Sequence, residues 1–354
     1  MFFLNIITNY IIPIIYDSAV GLVLALAVLA VFRIKDPNIR ILFFMLPLLK
    51  PFLIIIEKVD VNELYFQAGK GASGIRFPDP SGIIKFEEGF RQTPQILFTN
   101  ANSIIIIVIL SAILALLIAR WTTLALFFRR LANEKKVTRK EAPQFYEIID
   151  DYTARTKTAA PDVSLTKKNY ISPFIVGVKK FTLVISPGLL KQLNKSEKET
   201  LIQHELSHIK RKDNLIGWIA LILKDLNFFN PFAYIAYTLI RSEQEKACDK
   251  LIVKYSGKSP KDIAKDVLNS ILKLNLILSP TNHLIPTPSS TFSLTKIFNQ
   301  KRLENRINSI INTNPAKIYS KIVPKMLMAL LFVFLLFIQI MFVFKTGNII
   351  FVLR

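Results

Sequence analysis

The chain has 354 residues, a formal net charge of +21, a hydrophobic share of 51% and one cysteine. Apolar residues this abundant, gathered into long clumps, exclude an ordinary soluble domain, and a lone Cys248 excludes an intrachain disulfide framework. The positive charge calls for an anionic surface; beside long apolar segments the lipid bilayer fits that demand, and direct nucleic-acid binding is not expected.

In chain order, residues 2–32 are apolar with few interruptions, longer than the ~20 residues one span needs. The cleanest stretch runs from Ser18 to Phe32, with Pro13 expected to kink the helix. No Lys or Arg precedes Arg33, so the charged start of a cleaved signal peptide is missing. We place the first transmembrane segment at 1–34. Arg33, Lys35 and Arg40 make the next turn basic, which puts it on the cytoplasmic side and the N-terminus outside. A second, weaker transmembrane segment occupies 41–56 and carries Pro47, Lys50 and Pro51, with Lys50 read as snorkelling to the outer interface.

Residues 57–103 form a polar extracytoplasmic loop whose charges nearly balance and whose turn signals include Phe77-Pro78-Asp79-Pro80. A small sensor is the alternative there. The third transmembrane segment and its cytoplasmic extension span 104–128, with Arg120 and Trp121 as interfacial anchors. Residues 129–321 carry most of the basic excess and are long enough for one domain, on the cytoplasmic side. Met326–Phe344 (326–344) reads as the fourth transmembrane segment.

Inside 129–321 an amphipathic helix is expected near Ala142–Thr156, followed by short strands around Val163–Thr166, Phe174–Val178 and Phe181–Ile185. Ser196 and Glu199 read as a capping box that opens a helix. That helix carries His204-Glu205-Leu206-Ser207-His208, with two of the chain's three histidines. Histidines four apart lie on one helical face, about 6 Å between Cβ atoms, the bite a single Zn²⁺ requires. Glu205 can take a proton from a water on that metal.

A third ligand must come from elsewhere. Leu215–Leu223 is too short to span and reads as a buried or interface-dipping helix. Asn230-Pro231 then starts a helix in which Arg241, Glu245 and Asp249 share one face. Glu245 is the expected third ligand. Asp249 would hydrogen-bond a ligating histidine, and Arg241 would brace a carboxylate. Glu243 lies about 200° round the helix from Glu245. Cys248 reads as a small apolar residue in a helix core. His283 sits in a loop, with oxyanion stabilisation as its functional alternative.

The run His204 to Asn214, then Phe229-Asn230-Pro231, Arg241, Glu245 and Cys248-Asp249, resembles the BlaR/MecR-type membrane zinc metallopeptidases, bacterial gluzincins of the antirepressor family. Ser172–Gly177, Thr182–Ser186 and Leu303-Glu304-Asn305-Arg306-Ile307 extend the likeness. The resemblance implies four transmembrane helices with a cytoplasmic α+β gluzincin-like zinc metallopeptidase domain in the bacterial cytoplasmic (inner) membrane. It implies zinc at His204, His208 and Glu245, Glu205 as base, and signal-dependent cleavage of a transcriptional repressor or of the chain itself. Sensors of this type carry a penicillin-binding domain after the fourth span, and none is expected here from the ten residues that follow Phe344. A substrate strand is expected to add along the strand near Phe181–Ile185, with the Ser279–Ser293 linker as a self-cleavage site. Two rivals are an HtpX-type membrane quality-control protease and a non-proteolytic signalling or scaffold protein with a structural zinc.

Overall fold

The computed structural model describes residues 11–49, 100–166, 173–186, 191–276, 296–313 and 328–337. Lys50, His283, the Ser279–Ser293 linker and nearly all of the 57–103 loop lie outside these residues, so the readings made on them are not addressed by the structure.

Two helices are long and apolar enough to cross a membrane, over Ile14–Val31 and Ser111–Ala132. The first belongs to α1 (Ile12–Val31), where Pro13 falls in the first turn. A proline in a first turn costs no intrahelical hydrogen bond; the expected break at Pro13 involves residues 1–10, which lie outside the described residues. The second belongs to α3 (Asn100–Ala132), a 33-residue helix running four residues past the anticipated 128. Two shorter apolar helices are Pro37–Leu49, which starts before the second segment read from the sequence and overlaps it over 41–49, and Met328–Phe337, which falls within the fourth. The helix Pro37–Phe44 (α2) is N-capped by Asp36, whose side chain accepts from Asn38 N.

The metal-site domain grips these helices. After α6 (Asp213–Leu226) the chain turns through Asn227–Asn230 into α7 (Pro231–Tyr255), capped by Asn230 with Pro231 in its first turn. Ala233, Ala236 and Ile240 of α7 join Leu22, Ala25 and Leu29 of α1, and Phe43, Phe44 and Leu46, in one apolar cluster. The polar tip of this hairpin finds partners on the apolar helices. Asn230 Nδ2 donates to Ser18 Oγ at 2.7 Å, and Asn227 Nδ2 to the Leu48 carbonyl at 3.1 Å. Buried Asp225 accepts from Trp121 Nε1 at 3.0 Å and pairs with Arg120 at 3.4 Å. A 14-residue α6 is ~21 Å long, too short to cross a bilayer.

A four-stranded sheet follows α3: β1 (Lys135–Lys136), β2 (Asp162–Leu165), β3 (Phe174–Val176) and β4 (Thr182–Ile185), in spatial order β1-β2-β4-β3. β2 and β4 are parallel, with Val163 opposite Leu183, while β3 runs antiparallel to β4, with Ile175 opposite Leu183. Strand residues alternate faces. Phe174, Val176 and Val184 therefore pack on Phe128 and Leu131 at the end of α3. Ile175, Leu183 and Ile185 pack on Ile149 and Tyr152 of α4 (Pro143–Thr156) and on Ile202, Leu206 and Ile209 of α5 (Lys195–Arg211).

Two expectations are corrected here. The strand near Phe181–Ile185 is interior, and among the described residues the sheet's free edge beside it is β3. A one-sequence reading identifies strands but not their spatial order. The capping box is Asn194 with Glu197, two residues earlier than expected: Glu197 N donates to Asn194 Oδ1, and Asn194 N to Glu197 Oε2. Both pairs fit the same spacing rule. Ser196 instead donates to Asp266 of α8 (Pro260–Leu276) at 2.7 Å.

The β3–β4 turn depends on Gly177, whose φ is +101°, and a Cβ there would stand 1.9 Å from the Lys180 carbonyl oxygen. Gly177→Ala should cost about 2 kcal/mol or more through strain and backbone displacement. Thermal unfolding of the detergent-solubilised chain reads the loss as a lowered Tm, and an unchanged Tm would contradict the turn geometry.

Candidate metal centre

α5 presents His204, Glu205 and His208, all buried, above the sheet. The helix ends at Lys212, in the left-handed region at φ 57°, and the chain re-enters a helix at once. This sharp reversal brings Asp213 back under His208, with Asp213 Oδ2 2.9 Å from His208 Nδ1. α7 crosses α5 and supplies Glu245. Its Oε2 lies 3.1 Å from His204 Nε2 and its Oε1 3.8 Å from His208 Nε2.

One ligand atom from each of His204, His208 and Glu245 falls within 4.8 Å of the others. Ligand atoms about 3.3 Å apart are what a tetrahedral ion with ~2 Å bonds requires, and the 3.1 Å His204–Glu245 separation fits it. The donor set is two imidazole nitrogens and a carboxylate. Side-chain exposure is 6–7% for the histidines and 30% for Glu245, so the site opens on the Glu245 side.

Asp249, one turn beyond Glu245, places Oδ1 3.2 Å from His204 Nδ1. Each histidine thus has its Nδ1 beside a carboxylate and its Nε2 turned toward Glu245, the arrangement that fixes ring orientation in metal sites. Arg241 Nη2 stands 4.0 Å from Glu245 Oε1, while its Nη1 donates to Gln244 Oε1. The short clamp on this row comes from Arg306 of α9 (Lys296–Ile311). Its Nε and Nη2 grip Asp249 at 2.7 and 2.8 Å, and its Nη1 lies 3.6 Å from Glu245 Oε2. Arg306 and Asp213 are the two residues that spacing missed. Each lay inside a quoted family-like run, but only the fold brings α9 across α7 and turns Asp213 beneath His208.

Cys248 is fully buried in the helix core, as expected, but its neighbours are polar: Sγ lies 3.2 Å from His208 Nδ1 and 3.3 Å from Asp213 Oδ2. Three residues from Glu245, it shares that helical face. His208, Asp213 and Cys248 form a second group able to hold a metal, and it uses the other nitrogen of His208. Burial, and then Asp213, push the Cys248 thiol well above its ordinary pKa, which disfavours the thiolate a metal needs. Glu243 points away and pairs with Arg40 at 3.0 Å and Lys246 at 2.9 Å.

The electrostatics suit the site's chemistry. Burial raises the Glu205 carboxyl pKa, against the lowering pull of His208 and His204. Burial also pushes Glu245 upward, but the hydrogen bond from His204 and the charges of His204 and Arg306 outweigh it and hold Glu245 well below the usual range. The His204 imidazole is pushed down by burial and by Arg306, yet its bonds to Asp249 and Glu245 carry it up to about 10. Two carboxylates stand against the His204 ring, a place that stabilises positive charge.

A histidine pair one turn apart with an adjacent glutamate, and a carboxylate from a crossing helix, beside a small sheet, together define a metallopeptidase-like class of protein. The chain belongs to the BlaR1 peptidase M56 family, which it matches over residues 83–310. It is 33% identical over 86 residues to the methicillin resistance mecR1 protein of Staphylococcus aureus (strain Mu50 / ATCC 700699), a match covering 24% of this chain and 15% of that protein. It is 37% identical over 90 residues to a protease HtpX homolog of Thermococcus kodakarensis, covering 25% of this chain and 31% of the relative. A second HtpX homolog, from Gemmatimonas aurantiaca, is 31% identical over 117 residues, covering 31% and 42%. The chain spans less than half the length of each of these relatives.

Proposed function

We propose that the chain is an integral-membrane zinc endopeptidase in which His204, His208 and Glu245 hold the metal and Glu205 is the general base. The observation that carries this reading is the convergence of three ligand atoms within 4.8 Å next to a buried glutamate of raised pKa. Bound zinc would supply Lewis acidity toward the scissile carbonyl and the attacking water. Glu205 takes the proton from that water and delivers it to the leaving amide nitrogen; a carboxyl whose pKa burial raises suits both transfers. Asp249 and Asp213 orient the two imidazoles, and Arg306 balances the charge of Asp249 and Glu245. Arg241, beside Glu245, supports the same row.

A substrate strand that adds to the sheet's free edge does so along β3. There Asn214 Nδ2 donates to the carbonyls of Ile175 at 3.1 Å and Gly177 at 2.8 Å. An incoming strand competes with Asn214 for those two groups.

The proposed topology has four spans, with the N-terminus outside and the metal domain facing the cytoplasm of a bacterial inner membrane. The substrate is then a cytoplasmic protein, a repressor or the chain itself, cut in response to a signal. A second reading, an HtpX-type quality-control protease, is favoured by the HtpX-named relatives and by the α6–α7 hairpin whose tip sits among apolar helices. A purely structural metal leaves Glu205 without a role.

Metal removal tests the proposal. The purified full chain should cut itself or an unfolded protein substrate, lose that activity on chelation, and regain it with about one equivalent of Zn²⁺. Cleavage that persists in the demetallated chain would refute it. A repressor cut at one bond and a misfolded membrane protein cut at many separate the two physiological readings.

A further inference from the structure

Beside the metal centre a cleft of about 1180 Å³ opens between the α1–α2 turn, the C-terminal end of α5, the outer face of α7 and α9. One wall is cationic, with Lys35, Arg40, Lys246, Lys250 and Lys254 set against the carboxylates of Asp36 and Glu243. Arg40 and Lys246 share the single carboxylate of Glu243. Lys250 Nζ donates to the backbone carbonyl of Lys35 at 3.0 Å. By number, five cations stand on this wall against two carboxylates.

The facing wall is neutral and polar. Asn305, Asn308 and Ser309 of α9, with Asn312 just past its end, line the cleft at spacings of three and four, hence from one helical face. The cleft lies against the turn that ends α1, where Val31 and Phe32 are 76% and 55% exposed. Cations, then amides and hydroxyls, beside an exposed apolar helix end match in order the phosphate, polar head and acyl chains of a lipid. Among the described residues, no strand lines the cleft to pair with an acidic peptide backbone.

We propose that this cleft binds the headgroup of an anionic glycerophospholipid of the phosphatidylglycerol type, with its phosphate at Lys35, Lys250 and Lys254 and its hydroxyls at the amides of α9. The proposal rests on the membrane placement given above, and it does not depend on peptidase activity. Basic pockets at the cytoplasmic ends of membrane helices are suited to anionic headgroups. Occupancy would join α7 to α9, the two helices that the Arg306–Asp249 pair already links across the metal centre.

Native mass spectrometry of the full chain, equilibrated with equal phosphatidylglycerol and phosphatidylcholine, tests this. Phosphatidylglycerol should be retained preferentially. Lys35→Gln with Lys250→Gln and Lys254→Gln should lower that retention by about tenfold or more. A control lacking Lys157, Lys179 and Lys191 should retain it as the wild type does. Asn308→Ala with Asn312→Ala keeps every cation; it should weaken phosphatidylglycerol and leave phosphatidic acid, which has no headgroup hydroxyls, unchanged. Metal content checks folding, and millimolar inorganic phosphate should not displace the lipid. Equal retention by the cleft and control variants, displacement by free phosphate, or exclusive binding of a polyglutamate peptide would each overturn the proposal, as would equal effects of the asparagine changes on both lipids.

Discussion

Glu205→Gln is expected to leave about one metal bound per chain while lowering peptide hydrolysis by roughly 10²–10⁴-fold. Glutamine keeps the shape of the side chain but cannot accept the proton. Glu205 is not among the residues whose ligand atoms converge, so the metal should stay. Metal analysis and mass spectrometry of cleavage products on the same preparation check both halves. A variant that lost the metal would make Glu205 part of the ligand set. A variant that kept full activity would remove it from the chemistry.

Arg306→Ala is the second large expected effect. The guanidinium holds Asp249 through two short hydrogen bonds and faces Glu245, and Asp249 is nearly fully buried. Deleting one partner of a buried ion pair leaves the other charge uncompensated, a loss of about 3–5 kcal/mol. Because Asp249 also orients His204, metal affinity should fall roughly 10–100-fold. Arg306→Lys restores a charge but not the two-pronged contact, so it should rescue only part of either loss. Chelator competition and thermal unfolding read the two effects separately. An unchanged metal affinity would leave Arg306 as a folding residue with no part in positioning the ligands.

The metal centre was legible where it depends on helix periodicity. His204 and His208 four apart, and Glu245 and Asp249 four apart, need only the 3.6-residue turn to fix their faces, and the structure brings those faces together. What the sequence did not reveal depends on tertiary paths. Asp213 reaches His208 only because Lys212 adopts a left-handed conformation. Arg306 sits 57 residues beyond Asp249 and arrives on a separate helix. Cys248 was assigned by its apolar character, although its helical phase places it under His208 and Asp213. Three of the four strands were found within a residue or two and the two-residue β1 was missed, while their lateral order, which decides where a substrate strand can add, follows from β2–β4 pairing across a long connection. The capping box shifted by two residues because Asn194–Glu197 and Ser196–Glu199 satisfy the same pattern. Asp266 engages Ser196 from a distant helix and leaves Asn194 as the cap.

The most direct test of the account is zinc K-edge X-ray absorption on the zinc-loaded full chain, because the two clusters that share His208 differ in one element. The His204–His208–Glu245 site predicts a shell of nitrogen and oxygen only, near ~2.0–2.1 Å, with imidazole outer-shell scattering from two rings. A sulfur scatterer near ~2.3 Å would place the ion at Cys248 and contradict the assignment.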